Sequence, residues 1–150
     1  MKKSYAEYLK LNKSLFLSIV VAVIISAITA QLLTEQEDYL NSSYTLMVDL
    51  TVFYFTFGTL FYVDNRKKYL TDSGKIDSPR LKKDLLKIIS SVGVGEIAYI
   101  AIRWYLQYYL LTIHYEPYMA SIITQLISAI IYLSIVNLGV NLTKLYKDGT

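Results

Sequence analysis

Long apolar runs alternate with short polar ones along the chain, and the apolar runs have membrane length. A helix rises 1.5 Å per residue, so a hydrocarbon core about 30 Å thick takes about 20 residues to cross. Four segments meet that length. Residues 14–33 carry no charge, 45–63 carry Asp49, 85–113 carry Glu96 and Arg103 with Lys87 at their edge, and 118–142 carry none. The first run is too long for the apolar part of a secretory signal, and no small-residue cleavage site follows it. The pattern predicts an all-α polytopic membrane protein. Its single transmembrane domain fills 1–150, with four helices forming a bundle and a polar loop over 64–85.

The basic residues orient these spans. Lys2, Lys3, Lys10 and Lys13 precede the first span. Arg66, Lys67, Lys68, Lys75, Arg80, Lys82, Lys83 and Lys87 lie in or beside the loop between the second and third, and Lys144 and Lys147 follow the fourth. Of the fifteen Lys and Arg only Arg103 falls deep within a span, Lys87 lying at the edge of the third. The opposite loops hold Glu35, Glu37, Asp38 and Glu116 instead. By the positive-inside rule both termini and the 64–85 loop are expected in the cytoplasm, with the plasma membrane as the expected location. The net charge of +3 is thus read as a topology signal, and no nucleic-acid partner is expected.

Within that loop, residues 71–75 have turn chemistry. Ser78 then reads as a helix N-cap, with Pro79 at the first helical position. Leu81, Leu85, Ile88 and Ile89 would give this entry an apolar face, with its lysines toward lipid headgroups. Tyrosines near the predicted boundaries fit an aromatic belt.

Helices in lipid associate through small residues and interhelical hydrogen bonds. Ser18, Ala22, Ser26 and Ala30 follow one another at four-residue steps, so the first span is expected to pack along them. The fourth span presents Ser121, Gln125, Ser128, Tyr132 and Gly139. The third span is the most informative, because Glu96, Arg103 and Gln107 share one face. A charge at the bilayer centre costs at least about 2.5–3.5 kcal/mol, so these groups should turn inward and find partners. Glu96 or Asp49 is expected to neutralise Arg103. Asp49, Glu96, Arg103 and Gln107 together form the candidate intramembrane polar cluster. His114, near Glu116 and Pro117, reads as an interfacial residue.

The chain divides into two hairpins that both run out and back, so any repeat is parallel. The first return ends in Asn65-Arg66-Lys67-Lys68-Tyr69 and the second in Asn141-Leu142-Thr143-Lys144-Leu145-Tyr146. Together with Ser90-Ser91-Val92-Gly93-Val94-Gly95 at the third span's start, these features resemble the GtrA-like family of small four-span membrane proteins over most of residues 10–147. The first span lacks that family's glycines, and no arginine follows Asn141. The resemblance implies translocation or handling of polyisoprenyl-phosphate-linked sugars. Arg103 would then meet the phosphate, and Arg66, Lys67, Lys68, Lys82 and Lys83 would contact lipid headgroups.

Composition removes much other chemistry. With no cysteine and one histidine, disulfides, thiol nucleophiles and a multi-histidine metal cage are excluded within this chain. Apolar residues make up 54% and charged ones 18%, below the roughly 25% of soluble domains, and mean hydropathy is +0.37. No phosphate loop or nucleophile–base pair occurs, so neither an enzyme nor a cofactor is expected. Asn41-Ser42-Ser43 is a glycosylation sequon, equally explained as turn residues. The alternative function is a non-catalytic accessory subunit of a larger membrane complex, such as an energy-converting or oxidase assembly. Its partners would be other membrane subunits or further copies of the chain.

Overall fold

A computed structural model describes the backbone of residues 2–71 and 74–142, and their side chains except at 2–8, 87–92, 94, 136 and 139–142. Several features named above therefore lie outside the described residues or side chains: Lys2, Lys3, Lys87, Ile88, Ile89, much of the 90–95 motif, Gly139, Asn141, Lys144, Tyr146 and Lys147. The described chain is all-helical. Four long helices, α1 (Lys2–Leu32), α2 (Asp38–Asn65), α3 (Ser78–Thr112) and α4 (Pro117–Leu142), carry nearly all of it. A short 3-10 turn, Arg66–Tyr69, follows α2.

Among the described residues, three stretches are long and apolar enough to cross a membrane: Leu9–Leu32, Asp38–Tyr69 and Pro117–Ile135. Helix α3 covers the expected third span without a break. Its side chains at 87–92 and 94 lie outside the described ones, so it is not among these three. Helices α1 and α2 also start before the apolar runs that announced them, since the helix continues through polar residues once a packed face exists.

Chain connections show why each helix stops where it does. The side-chain amide of Asn41 donates to Ala30 O (2.9 Å) and Leu33 O (3.0 Å), occupying carbonyls at the end of α1 that have no partner within the helix. Asn41 is buried, so the sequon asparagine is a structural cap and not an exposed glycosylation acceptor. The N-cap of α3 is Asp77, one residue before the expected Ser78. Its carboxylate accepts from Arg80 N at 3.1 Å, which places Pro79 second in the helix. Helix α3 ends in a Schellman arrangement: Tyr115 N donates to Leu110 O and His114 N to Leu111 O. His114 occupies the left-handed position with φ 65°, where glycine is usual.

The loop after α2 folds back as a small hairpin, with an isolated bridge between Leu70 and Ile76 and a left-handed Gly74 at φ 73°. Tyr69 is driven inward and packs near Phe61, with Leu11, Leu15 and Phe57 completing an apolar cluster. Leu81 and Leu85 pack on this cluster. Leu81 and Leu85 of the expected apolar face therefore meet protein, and α3 runs on from Ser78 as one continuous helix.

Helix α1 packs on α2 and α4, and α3 packs on the same two helices. The α1–α2 and α3–α4 contacts are the most extensive, and α2–α3 is the loosest of the four. Ser18, Ala22, Ser26 and Ala30 are each buried, so the small-residue stripe of α1 faces protein along its length. Outward positions are large and apolar, including Phe16, Leu32, Phe55, Ile97 and Ile130. The interior holds Ser, Thr, Asn, Gln, Asp and Arg side chains. This inversion of the soluble pattern suits a protein surrounded by lipid tails.

Candidate functional site

The buried polar groups join into one network spanning all four helices. At its centre the Arg103 guanidinium is fully buried. Nη1 donates to Gln107 Oε1 and to Thr124 Oγ1 (2.6 Å), and Nη2 donates to Ser121 Oγ (2.9 Å). Nε lies 3.5 Å from Asp49 Oδ2, an ion pair with no hydrogen bond along that direction. Asp49 in turn accepts from the Tyr99 hydroxyl and from Gln125 Nε2. Ser26 on α1 donates to Gln125 Oε1, and Gln107 Nε2 donates to Asn41 Oδ1 at 3.2 Å. Thr45 also donates to Asn41 Oδ1, so α2 contributes at three successive turns.

Asp49, Arg103 and Gln107 are thus brought together. Of the two carboxylates expected near Arg103, Asp49 makes the contact. Glu96 lies two turns away on α3, about 10 Å along the axis, and turns toward Tyr54. It is only partly buried and lines a cavity with Asp49, Phe53, Tyr99 and Tyr132. Glu96 therefore stands outside the Arg103 ion pair but shares a cavity wall with the network members Asp49, Tyr99 and Gln125.

The five basic residues expected at headgroups, Arg66, Lys67, Lys68, Lys82 and Lys83, are all exposed. They sit on the 3-10 turn and the opening turns of α3, two elements that pack together. Lys68 reaches Asp84 at 3.1 Å, and the Tyr69 hydroxyl donates to the same carboxylate at 2.9 Å. That pairing fixes the turn on α3 and leaves the other four cations pointing outward.

Sequence reasoning did not assign Asn41, Thr124, Tyr54 and Tyr99 to the site. Three of them had a readable signal. Asn41, Thr45 and Asp49 recur at four-residue steps and so form a polar stripe on one helix face. Tyr99 follows Glu96 by three residues and precedes Arg103 by four, which puts it on the face already singled out. Thr124 likewise follows Ser121 by three and precedes Ser128 by four, on the face named for the fourth span, whereas Tyr54 had no comparable signal.

Chemically, the network is largely self-satisfied. Nη1 and Nη2 are hydrogen-bonded, Nε has the Asp49 ion pair but no hydrogen bond, both Asp49 oxygens are engaged, and among the described residues no three His, Cys, Asp or Glu converge to hold a metal ion. Comparison with protein-family models, curated proteins and solved structures gives no match. Class is therefore defined by the molecule's own features. Its described residues are all-helical, with three helices among them fit to cross a bilayer, an apolar exterior and an ion-paired polar interior, as an integral membrane protein has.

Proposed function

We propose that the chain is a non-catalytic accessory subunit of a larger membrane protein complex. In this reading α3 is the fourth span. The two hairpins α1–α2 and α3–α4 form a four-helix transmembrane bundle in the plasma membrane, with both termini and the 64–85 loop cytoplasmic. The position of α3 against two membrane-length helices supports this, as does its outward Ile97 and Tyr105. One observation carries the functional reading: apart from Arg103 Nε, the polar side chains around Arg103 hydrogen-bond one another. What remains for interaction is the outer surface. Purification in mild detergent at native expression tests this. Stoichiometric co-purification of other membrane subunits is the expected result, and a single 17.2 kDa species overturns the reading.

A second reading, handling of a polyisoprenyl-phosphate-linked sugar, is favoured by the exposed cations at the α2–α3 end. Arg103 is fully enclosed, so this reading assigns the phosphate to Arg66, Lys67, Lys82 and Lys83. A reconstituted flipping assay on a variant with those four changed to glutamine separates the two readings. Unchanged flipping by the variant removes this assignment.

A further inference from the structure

Glu96 stands at mid-depth without a cation. Its hydrogen-bonding partner Tyr54 lies midway along the membrane-length stretch Asp38–Tyr69, which places both groups near the bilayer centre in the four-span reading. The Tyr54 hydroxyl brings a hydrogen bond but no charge. Arg103 is spent on Asp49, and among the described residues no Lys or Arg is paired with Glu96. A carboxylate at that depth is costly unless a cation meets it. Glu96 is partly exposed, so a cation can reach it from outside the bundle.

The surface around Glu96 has room for a helix. It lies on the α2–α3 seam, the loosest of the four helix contacts. Gly58 follows Tyr54 by four residues on α2, and Gly93 precedes Glu96 by three on α3, so both glycines neighbour the Tyr54–Glu96 pair on its basic-loop side. A Cβ at Gly95 would meet Tyr132 and Ile135 of α4 at 3.4 Å, so that glycine serves the bundle's own packing. At Gly58 and Gly93 no described atom lies within 4 Å of an added Cβ. The bundle makes no use of these two missing side chains, whereas a further helix gains close backbone approach from them. Thr51 and Ile97 are exposed and form the edges of this groove, with Glu96 in its floor.

Charge identifies the occupant. The floor offers one carboxylate between uncharged edges, and its complement is a membrane helix with a single Lys or Arg at mid-depth. A second copy of the chain cannot supply that cation. Its one Lys or Arg deep within a span is Arg103, which is fully buried against Asp49. We propose that the α2–α3 groove docks a transmembrane helix of another subunit, with a Lys or Arg of that helix paired to Glu96 and its backbone against Gly58 and Gly93. This rests on the accessory-subunit reading and adds the chemistry of the partner.

Energy transfer from Trp104, the chain's one tryptophan, provides the test. Trp104 lies two turns along α3 from Glu96 and faces α2 through Ser43. The acceptor is a dansyl group on a synthetic transmembrane peptide of about 20 leucines with one central lysine, mixed with the full chain in phosphatidylcholine vesicles. Saturable transfer near one peptide per chain is expected. The same peptide with norleucine in place of the lysine should associate at least about tenfold more weakly. Glu96→Gln, with its helical circular dichroism checked, should remove the difference between the two peptides. The double variant Gly58→Ala, Gly93→Ala should melt no lower than the native chain, because each methyl enters open space, yet bind the lysine peptide about threefold more weakly. Equal association of the two peptides, a lysine preference kept by folded Glu96→Gln, or undiminished binding by the double glycine variant would each overturn the proposal. The two-peptide comparison needs only the native chain, so it decides the question even if Glu96→Gln does not fold. Equal peptides alongside co-purifying subunits would remove the groove and leave the accessory-subunit reading, whereas a single 17.2 kDa species overturns that reading itself.

Discussion

Arg103 cannot shed its charge by losing a proton, so its cost in the membrane has to be met by partners. Single interhelical hydrogen bonds in membranes contribute only about 0.6 kcal/mol each, so Ser121 and Thr124 on α4 shape the site more than they stabilise it. The Asp49 carboxylate is the partner that matters most. Asp49→Asn should destabilise the chain by about 3–5 kcal/mol, because the guanidinium is left uncompensated and buried. Adding Arg103→Gln should restore part of that loss, since the charge itself is then gone. Thermal melting of both variants in detergent checks this, and a double variant that loses the sum of the two single losses would contradict it. Asp49 and Arg103 are visible in the sequence as charges inside apolar runs. The preference for Asp49 over Glu96 is not, because it depends on how α2 and α3 are rotated against each other.

Two elements show how far periodicity reaches. The four-residue spacing of Ser18, Ala22, Ser26 and Ala30 identifies the packing face of α1, and the structure buries all four. Ala22→Leu should therefore cost about 1–3 kcal/mol through overpacking, while Val20→Leu, on a position 39% exposed, should cost little. Comparable melting of the two variants would place the stripe outside the packed face. The end of α3 is a case the sequence hides. His114 occupies a left-handed position that an L side chain enters at a cost, and no glycine marks the stop. His114→Gly should raise stability by about 1 kcal/mol, read as a higher melting temperature. The start of α3 was misplaced by one residue for a related reason. Asp77 and Ser78 are both good caps, and only backbone geometry selects between them.

At the scale of the whole molecule, the interior has two layers. The half toward the α1–α2 and α3–α4 turns is polar and holds the Arg103 network. The half toward the basic loop is apolar, built on Leu11, Leu15, Phe57, Phe61 and Tyr69. The topology argued from the basic residues puts the polar layer in the outer leaflet. Because the chain has no cysteine, single substitutions report cleanly. A cysteine replacing Glu37 should react with an impermeant reagent applied outside intact cells, and one replacing Lys75 should not. The reverse labelling would invert the orientation.

Spans, charges and faces were legible because each is a one-dimensional property. Span length is apolar residues measured against bilayer thickness, and a helical face is a count of three and four. By itself the sequence determined that helices of membrane length exist, that α1 packs through its small residues, and that Asp49, Arg103 and Gln107 turn inward. Only the tertiary structure decided that Arg103 takes Asp49, that Asn41 closes the end of α1, that Leu81 and Leu85 meet Tyr69's cluster, and that Glu96 faces an aromatic cavity. Those outcomes depend on the rotation and register of four helices at once. Register is set by the sum of many packing contacts across the bundle, and no local stretch of sequence carries that sum.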